Sequence, residues 1–241
     1  AGRRLNSPND VAVKSDGTIW FSDPVYGIST DYEGGRQQSE QPPALYRFDP
    51  STGDIRIAAS DFDGPNGLAF SPDETMLYVA ETGNQAEDDP KQFIRVFAVG
   101  DGGALSGGGL FAKIEPGYCD GMTVDEDGNI WSSAADGVHC LSPEGDLLGK
   151  VLVPHRVANL KFGGLHRNRL FIAGSQTLYA IFLNRRGLPF PFDKRTHALY
   201  SRPGTNAPCA NGCARFFSTW KIARTAPCAS SCVRKATTGC W

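Results

Sequence analysis

Asn9, Asn66 and Asp120 carry oxygen-bearing side chains at matching places in three stretches of the sequence. Amide oxygens grouped with a carboxylate suit a hard divalent cation. The stretches are Ser7-Pro8-Asn9-Asp10-Val11-Ala12-Val13, Gly64-Pro65-Asn66-Gly67-Leu68-Ala69-Phe70 and Tyr118-Cys119-Asp120-Gly121-Met122-Thr123-Val124. An Asn or Asp ahead of a strand ordinarily forms a turn, and at any single position that reading stands. Recurrence at intervals of 57 and 54 residues argues against it, most of all for Asn66 and Asp120.

Each of the three residues introduces the same local plan. An alternating apolar run is followed by a turn rich in Asp, Gly or Pro and then by a second run, such as Ile19-Trp20-Phe21-Ser22-Asp23 or Ile130-Trp131-Ser132. Alternation with period two predicts a β-hairpin. A hairpin plan returning about every 50 residues is the mark of propeller blades, whose equivalent positions face one axis. The outer strands are expected at Leu45 to Phe48 with Ile55 to Ala58, and at Phe93 to Phe97. In the third copy they fall at Val138 to Leu141 and Leu147 to Val153, and a fourth copy starts near Asn159. Loops are expected over Val25 to Pro43 and Gly83 to Gln92, both on the rim above the three oxygen-bearing residues. Glycines 100, 102, 103, 107, 108 and 109 are expected to break up the outer strand of the second unit.

The charge divides the chain. Residues 1–187 hold 16 Lys or Arg against 25 Asp or Glu, whereas residues 188–241 hold 8 against 1. Five of the seven cysteines, Cys209, Cys213, Cys228, Cys232 and Cys240, also lie beyond the divide. Residues 1–187 therefore read as an all-β propeller region of about four blades, and residues 188–241 as a basic, cysteine-rich, irregular tail. The paired Cys-x₃-Cys motifs there could form two disulfides or bind zinc, and the tail is expected to be an unrelated, poorly ordered appendage. Its basic charge comes with no nucleic-acid-binding module, so no nucleic-acid partner is expected. With no run of 18 apolar residues, no membrane partner is expected either. The four histidines show no ligand or triad spacing and are expected at the surface. No Gly-x-Ser-x-Gly element supports a serine hydrolase.

Leu5-Asn6-Ser7-Pro8-Asn9-Asp10, Trp20-Phe21-Ser22-Asp23-Pro24, Gly64-Pro65-Asn66-Gly67-Leu68, Cys119-Asp120-Gly121-Met122 and Phe162-Gly163-Gly164 occur in this order along the chain. In these runs and their spacing, residues 4–187 resemble the gluconolactonase and regucalcin (senescence marker protein) family. The resemblance implies a six-bladed β-propeller, with about four blades present here, one divalent metal at the top of the channel, and hydrolysis of sugar lactones. By motif, Asn66 and Asp120 would bind the metal, and Asp120 would also be the general base. Asn9 would bind substrate or a metal-bound water, with Asp10 and Asp23 in support. Calcium is the first expectation for the metal, with Zn2+, Mg2+ and Mn2+ also open.

Two departures from the family pattern qualify these expectations. The metal-binding Glu with which the family begins has no counterpart ahead of Ala1, so the natural start is expected upstream. The Arg that regucalcin places two residues before its Asn is Ser7 here. With four blades of six, the ring is expected to be open and to expose apolar blade faces. A propeller that binds a ligand or partner without catalysis, or one that hydrolyses other lactones or esters, is the alternative. The expected partner is a small sugar lactone; oligomeric state stays open, as does the compartment, cytoplasmic or periplasmic.

Overall fold

The computed structural model of the chain describes residues 2–83 and 91–189, together with the backbone of 222–223. Blade 1 comprises β1 (Val11–Val13), β2 (Ile19–Asp23), β3 (Ala44–Asp49) and β4 (Asp54–Ala59), antiparallel and in sequence order. Blade 2 repeats the order with β5 (Pro65–Phe70), β6 (Met76–Glu81), β7 (Phe93–Val99) and β8 (Leu105–Ala112). Blade 3 has β9 (Met122–Val124), β10 (Ile130–Ala134), β11 (Gly137–Leu141) and β12 (Leu147–Leu152), whose free edge pairs with the two-residue β16 (Ile222–Ala223). Blade 4 consists of β13 (Val157–Gly163), β14 (Arg169–Gly174) and β15 (Thr177–Phe182). This is the four-blade propeller arrangement that the hairpin repeat predicts.

The alternation that marks each strand also builds the joints between blades. Trp20, Leu45, Leu68, Phe70, Leu77 and Val79 close the joint between blades 1 and 2. Tyr78, Ile94, Met122, Val124 and Ile130 close the next, and Trp131, Val138, Leu160, Phe162, Leu170 and Ile172 the third. At these joints β5 packs on β1 and β2, β9 on β5, and β13 on β9 and β10. The inner hairpin turns are pinned by carboxylates. Asp16 Oδ1 accepts the Thr18 N–H at 2.9 Å, Asp73 Oδ1 the Thr75 N–H at 3.1 Å, and Asp125 Oδ1 the Asn129 N–H at 2.9 Å. The outer face of blade 1 leaves Val11 53% and Ile57 49% exposed, and that of blade 4 leaves Phe182 61% exposed.

Three expectations change. The segment Val25 to Pro43 opens with a helix, α1 (Tyr26–Ser29), too short to show helical periodicity. Gly107, Gly108 and Gly109 lie inside β8, which absorbs them through register shifts against β7 and a bond from Arg95 Nε to the Gly108 carbonyl at 2.7 Å. His139, expected at the surface, is 2% exposed. Its Nε2 meets Asp136 Oδ1 at 2.7 Å, and Lys150 Nζ donates to the other Asp136 oxygen at 3.0 Å. Of the rim loop Gly83 to Gln92, residues 84–90 lie outside the described residues. So do all five tail cysteines and His197.

Candidate functional site

Asn66 is the second residue of β5, and Asp120 stands two residues ahead of β9. Their backbones interlock: the Gly67 N–H donates to the Asp120 carbonyl at 2.8 Å. A side chain at Gly67 would strike that carbonyl oxygen, so the close approach requires glycine. Blades 3 and 4 repeat the contact, with the Gly121 N–H donating to the Ala158 carbonyl at 2.8 Å. Ala158 is therefore the fourth-blade counterpart of Asp120, one residue ahead of the expected start at Asn159. Asn159 instead matches Asp10. Each bonds the following amide through its own Oδ1, at 2.8 Å from Val11 to Asp10 and 2.7 Å from Leu160 to Asn159.

The side chains of the first three copies meet at the strand-start mouth of the channel. Asn9 Nδ2 donates to Asn66 Oδ1 at 3.1 Å, and the Asn66 side-chain amide stands near enough to the Asp120 carboxylate to act on its acidity. Burial pushes the Asp120 carboxyl up to about 6, the Asn66 amide opposes this, and the Asp10 and Glu33 carboxylates add to it by repulsion. The charges that raise it are thus both negative among the described residues. Asp10 is also raised by burial, against its bond from Val11 and the attraction of Lys161. Beside Asp120, burial drives the Cys119 thiol up to about 12, which leaves it protonated and without nucleophilic character at neutral pH.

Asp23 lies apart from this group, fully buried at the end of β2. Its two oxygens accept the Asn6 N–H at 2.9 Å and the Ser7 N–H at 2.8 Å, which fixes the segment leading into Asn9. Glu81 ends β6 in the same way and accepts the Gly64 N–H at 2.7 Å and the Asp63 N–H at 3.2 Å, fixing the segment leading into Asn66. Sequence reasoning singled out Asp23 and missed Glu81. The signal was the shared spacing, since both carboxylates stand three residues after the aromatic of the second strand, Trp20 or Tyr78.

The α1 segment is fastened to the same mouth. Tyr26 Oη donates toward the Gly64 carbonyl at 2.9 Å and the Gly83 carbonyl at 3.2 Å. Ser7, where the family pattern has Arg, donates through Oγ to the Pro24 carbonyl at 2.6 Å and accepts the Gly27 N–H at 3.1 Å. Its side chain therefore serves the loop. Chemically, the mouth joins a half-buried carboxylate of weakened acidity to two amides, beneath a loop that carries a further carboxylate, Glu33.

Comparison with known proteins identifies relatives of this chain. The model of the SMP-30/Gluconolactonase/LRE-like region matches residues 1–176. A gluconolactonase of Zymomonas mobilis is 31% identical over 158 residues, which is 62% of this chain and 42% of that protein. The structure of a gluconolactonase from Xanthomonas campestris superposes with a TM-score of 0.68 at 38% identity, covering 78% of this chain and 59% of that one. Regucalcin from Agrobacterium tumefaciens, described as a calcium-binding protein, shares the fold with a TM-score of 0.54 at 21% identity, covering 68% of this chain and 52% of that one. The chain thus spans less than half the length of the Zymomonas relative.

Proposed function

Because the chain belongs to the SMP-30/Gluconolactonase/LRE-like family, we propose that the mouth formed by Asn9, Asn66 and Asp120 hydrolyses a lactone, with sugar lactones such as gluconolactone as the substrate class. One observation carries the reading: Asp120 is a half-buried carboxylate, pushed up to about 6, whose side-chain neighbour is an amide held by a second amide. A structural carboxylate in such a place would have a cationic or backbone N–H partner, as Asp23 has. A carboxylate left without one at a channel mouth suits proton transfer or cation binding.

The donor set also fits a divalent cation, calcium first. Amide and carboxylate oxygens are hard ligands, and the groups acting on Asp120 leave its negative charge uncompensated. Among the described residues no three His, Cys, Asp or Glu side chains converge on one point, so an ion here would rest on one carboxylate and on amide oxygens. Asn66 Oδ1 and the Asp120 carboxylate would hold it. When bound, it would polarise the lactone carbonyl and acidify water.

The residues themselves divide the remaining work. Asp120 takes the proton of the attacking water, a role suited to a carboxylate whose pKa burial has lifted toward neutrality. Asn66 fixes the carboxylate plane by hydrogen bonding. Asn9, the most exposed of the three, directs its amide to a substrate oxygen. Asp23 and Glu81 hold the two approach segments, and Asp10 tunes the charge of Asp120.

Gluconolactone hydrolysis followed in a pH-stat tests the proposal, with and without chelator. Asp120→Asn is expected to abolish enzyme-dependent hydrolysis, and Asn66→Asp to retain or tighten cation binding while altering the rate. Activity that survives both chelation and Asp120→Asn would remove Asp120 and the cation from the reaction. Saturable gluconolactone binding without turnover in the unaltered chain would favour a non-catalytic binding propeller.

A further inference from the structure

The backbone bonds between blades fix a second set of equivalent positions around the mouth. Because Ala158 corresponds to Asn9, Asn66 and Asp120, the residues two places earlier correspond as well: Ser7, Gly64, Tyr118 and Arg156. Blades 1 and 2 use theirs to fasten the α1 segment. Ser7 Oγ accepts the Gly27 N–H at 3.1 Å, and the Gly64 carbonyl accepts the Tyr26 hydroxyl at 2.9 Å. Blades 3 and 4 turn theirs to each other, with the Arg156 guanidinium carbon 4.1 Å from the centroid of the Tyr118 ring. At that distance the ring face attracts the cation.

Arg156 is held in place but not neutralised. On one side of it His155 Nδ1 meets the Tyr179 hydroxyl of β15, and on the other Val157 is buried at the start of β13. The side chain itself is exposed above the half-buried Tyr118, two residues ahead of Asp120. Among the described residues it has no carboxylate partner and no hydrogen bond. Nor is it among the charges that act on Asp120 or Asp10. Its charge and its N–H donors are therefore left for a ligand.

The mouth thus has two unlike sides. Asp10, Asp120 and, from the loop over blades 1 and 2, Glu33 bring carboxyl groups close enough to influence one another. The rim of blades 3 and 4 carries Arg156 on its aromatic seat. An anionic group entering the mouth is repelled by the first side and drawn to the second. A lactone with an anion at the end remote from its carbonyl is therefore turned one way, with the anion at Arg156 and the carbonyl toward Asp120. The planar guanidinium fork matches a carboxylate or a similar oxyanion, and a hydroxyl in its place gains less.

We propose that Arg156, seated over Tyr118, is a specificity-determining residue of the mouth, which takes an anionic group at the far end of the substrate and so selects acidic sugar lactones over neutral ones. The inference rests on the reading of the mouth as a lactone site. It adds a residue that binds substrate and takes no part in the proton transfer.

Two lactones with the same ring test it, since glucaro-1,4-lactone carries a carboxylate where glucono-1,4-lactone carries a hydroxymethyl group. The 241-residue chain is expected to prefer the acidic lactone in kcat/KM. In Arg156→Gln, a change at an exposed position, that preference should fall roughly tenfold, the size of one charge-assisted hydrogen bond. The loss should appear in KM, with the pH dependence of kcat retained because Arg156 does not act on Asp120. Arg156→Lys should restore part of the preference. A ratio of the two kcat/KM values that is the same in parent and Arg156→Gln would overturn the inference and leave lactone hydrolysis standing. Calorimetric binding of both lactones to Asp120→Asn, with and without Arg156→Gln, separates the two readings. If the parent hydrolyses neither lactone, the hydrolytic reading falls, and tighter binding of the acidic lactone that depends on Arg156 still supports this inference. Acidic lactone bound no more tightly than the neutral one, or equally well after Arg156→Gln, would overturn it.

Discussion

The Asn9 side-chain amide donates to Asn66 Oδ1 at 3.1 Å, joining two blades through residues 57 positions apart in sequence. The Asn66 amide acts on the Asp120 carboxylate in turn, so the three side chains form one connected set across three blades. Within a connected set, removing one member already disturbs the others.

Asn9→Ala and Asn66→Ala are therefore each expected to lower kcat/KM for lactone hydrolysis by about 10–100-fold, the usual cost of losing a group that orients a reacting side chain. The double variant should lose much less than the product of the two effects. Fully multiplicative losses would show that the two amides act separately.

The acidity of Asp120 links the site to stability. Its pKa rises from 3.8 to about 6 on folding, so its neutral form is the one that folding favours. That contribution is fully present below pH 4 and is lost as pH rises through 6, costing on the order of 3 kcal/mol where no cation compensates. In chelator-treated protein, Asp120→Asn should melt near the parent at pH 4 and increasingly above it as pH approaches 7. A difference in melting temperature that stays constant from pH 4 to 7 would contradict the shifted pKa.

Much of this architecture was legible in the sequence. Alternation with period two reports strands, and the intervals between Asn9, Asn66 and Asp120 align three blades without any contact being known. The fourth blade misled because Asn159 offers an oxygen one residue beyond the true counterpart, Ala158, and only the bond from Gly121 to Ala158 decides the frame. Glu81 was missed because its spacing from Tyr78 gains meaning only beside that of Asp23 from Trp20, and the fold-back onto the amides of Asp63 and Gly64 appears only in the structure. His139 was misplaced for a similar reason. Its burial depends on Lys150, its cross-strand neighbour eleven residues later, which shares Asp136 with it.

The interlocking of Gly67 with Asp120 has its own test. A methyl group at position 67 would meet the Asp120 carbonyl, and the adjacent backbone of Gly121 and Met122 leaves little room to move. Gly67→Ala is expected to destabilise the protein by about 1–3 kcal/mol, as overpacking does, and to lower activity by displacing Asp120. Gly109→Ala, where an added Cβ meets nothing within 4 Å, serves as the control and should leave both properties close to the parent. Comparable melting temperatures for the two variants would show that the joint between blades 2 and 3 accommodates the methyl group.

Tyr26 offers a way to separate the loop from the chemistry. Its hydroxyl reaches the Gly64 carbonyl at 2.9 Å, but that oxygen also accepts the Thr82 N–H at 2.9 Å, so removing the hydroxyl does not leave Gly64 unsatisfied. Tyr26→Phe should therefore cost only about 1 kcal/mol, or about 2–4 °C in Tm for a domain of this size. The strand carrying Asn66 remains anchored through Glu81, whose bond from the Gly64 N–H is unaffected. The α1 segment loses its tie to blade 2, and with it the placement of the loop that brings Glu33 near Asp120. If the loop covers bound lactone, KM should rise severalfold while kcat stays within about twofold, because binding is weakened equally in the ground and transition states. A fall in kcat with KM unchanged would instead assign Tyr26 to the transition state itself and move it from the loop anchor into the reacting group.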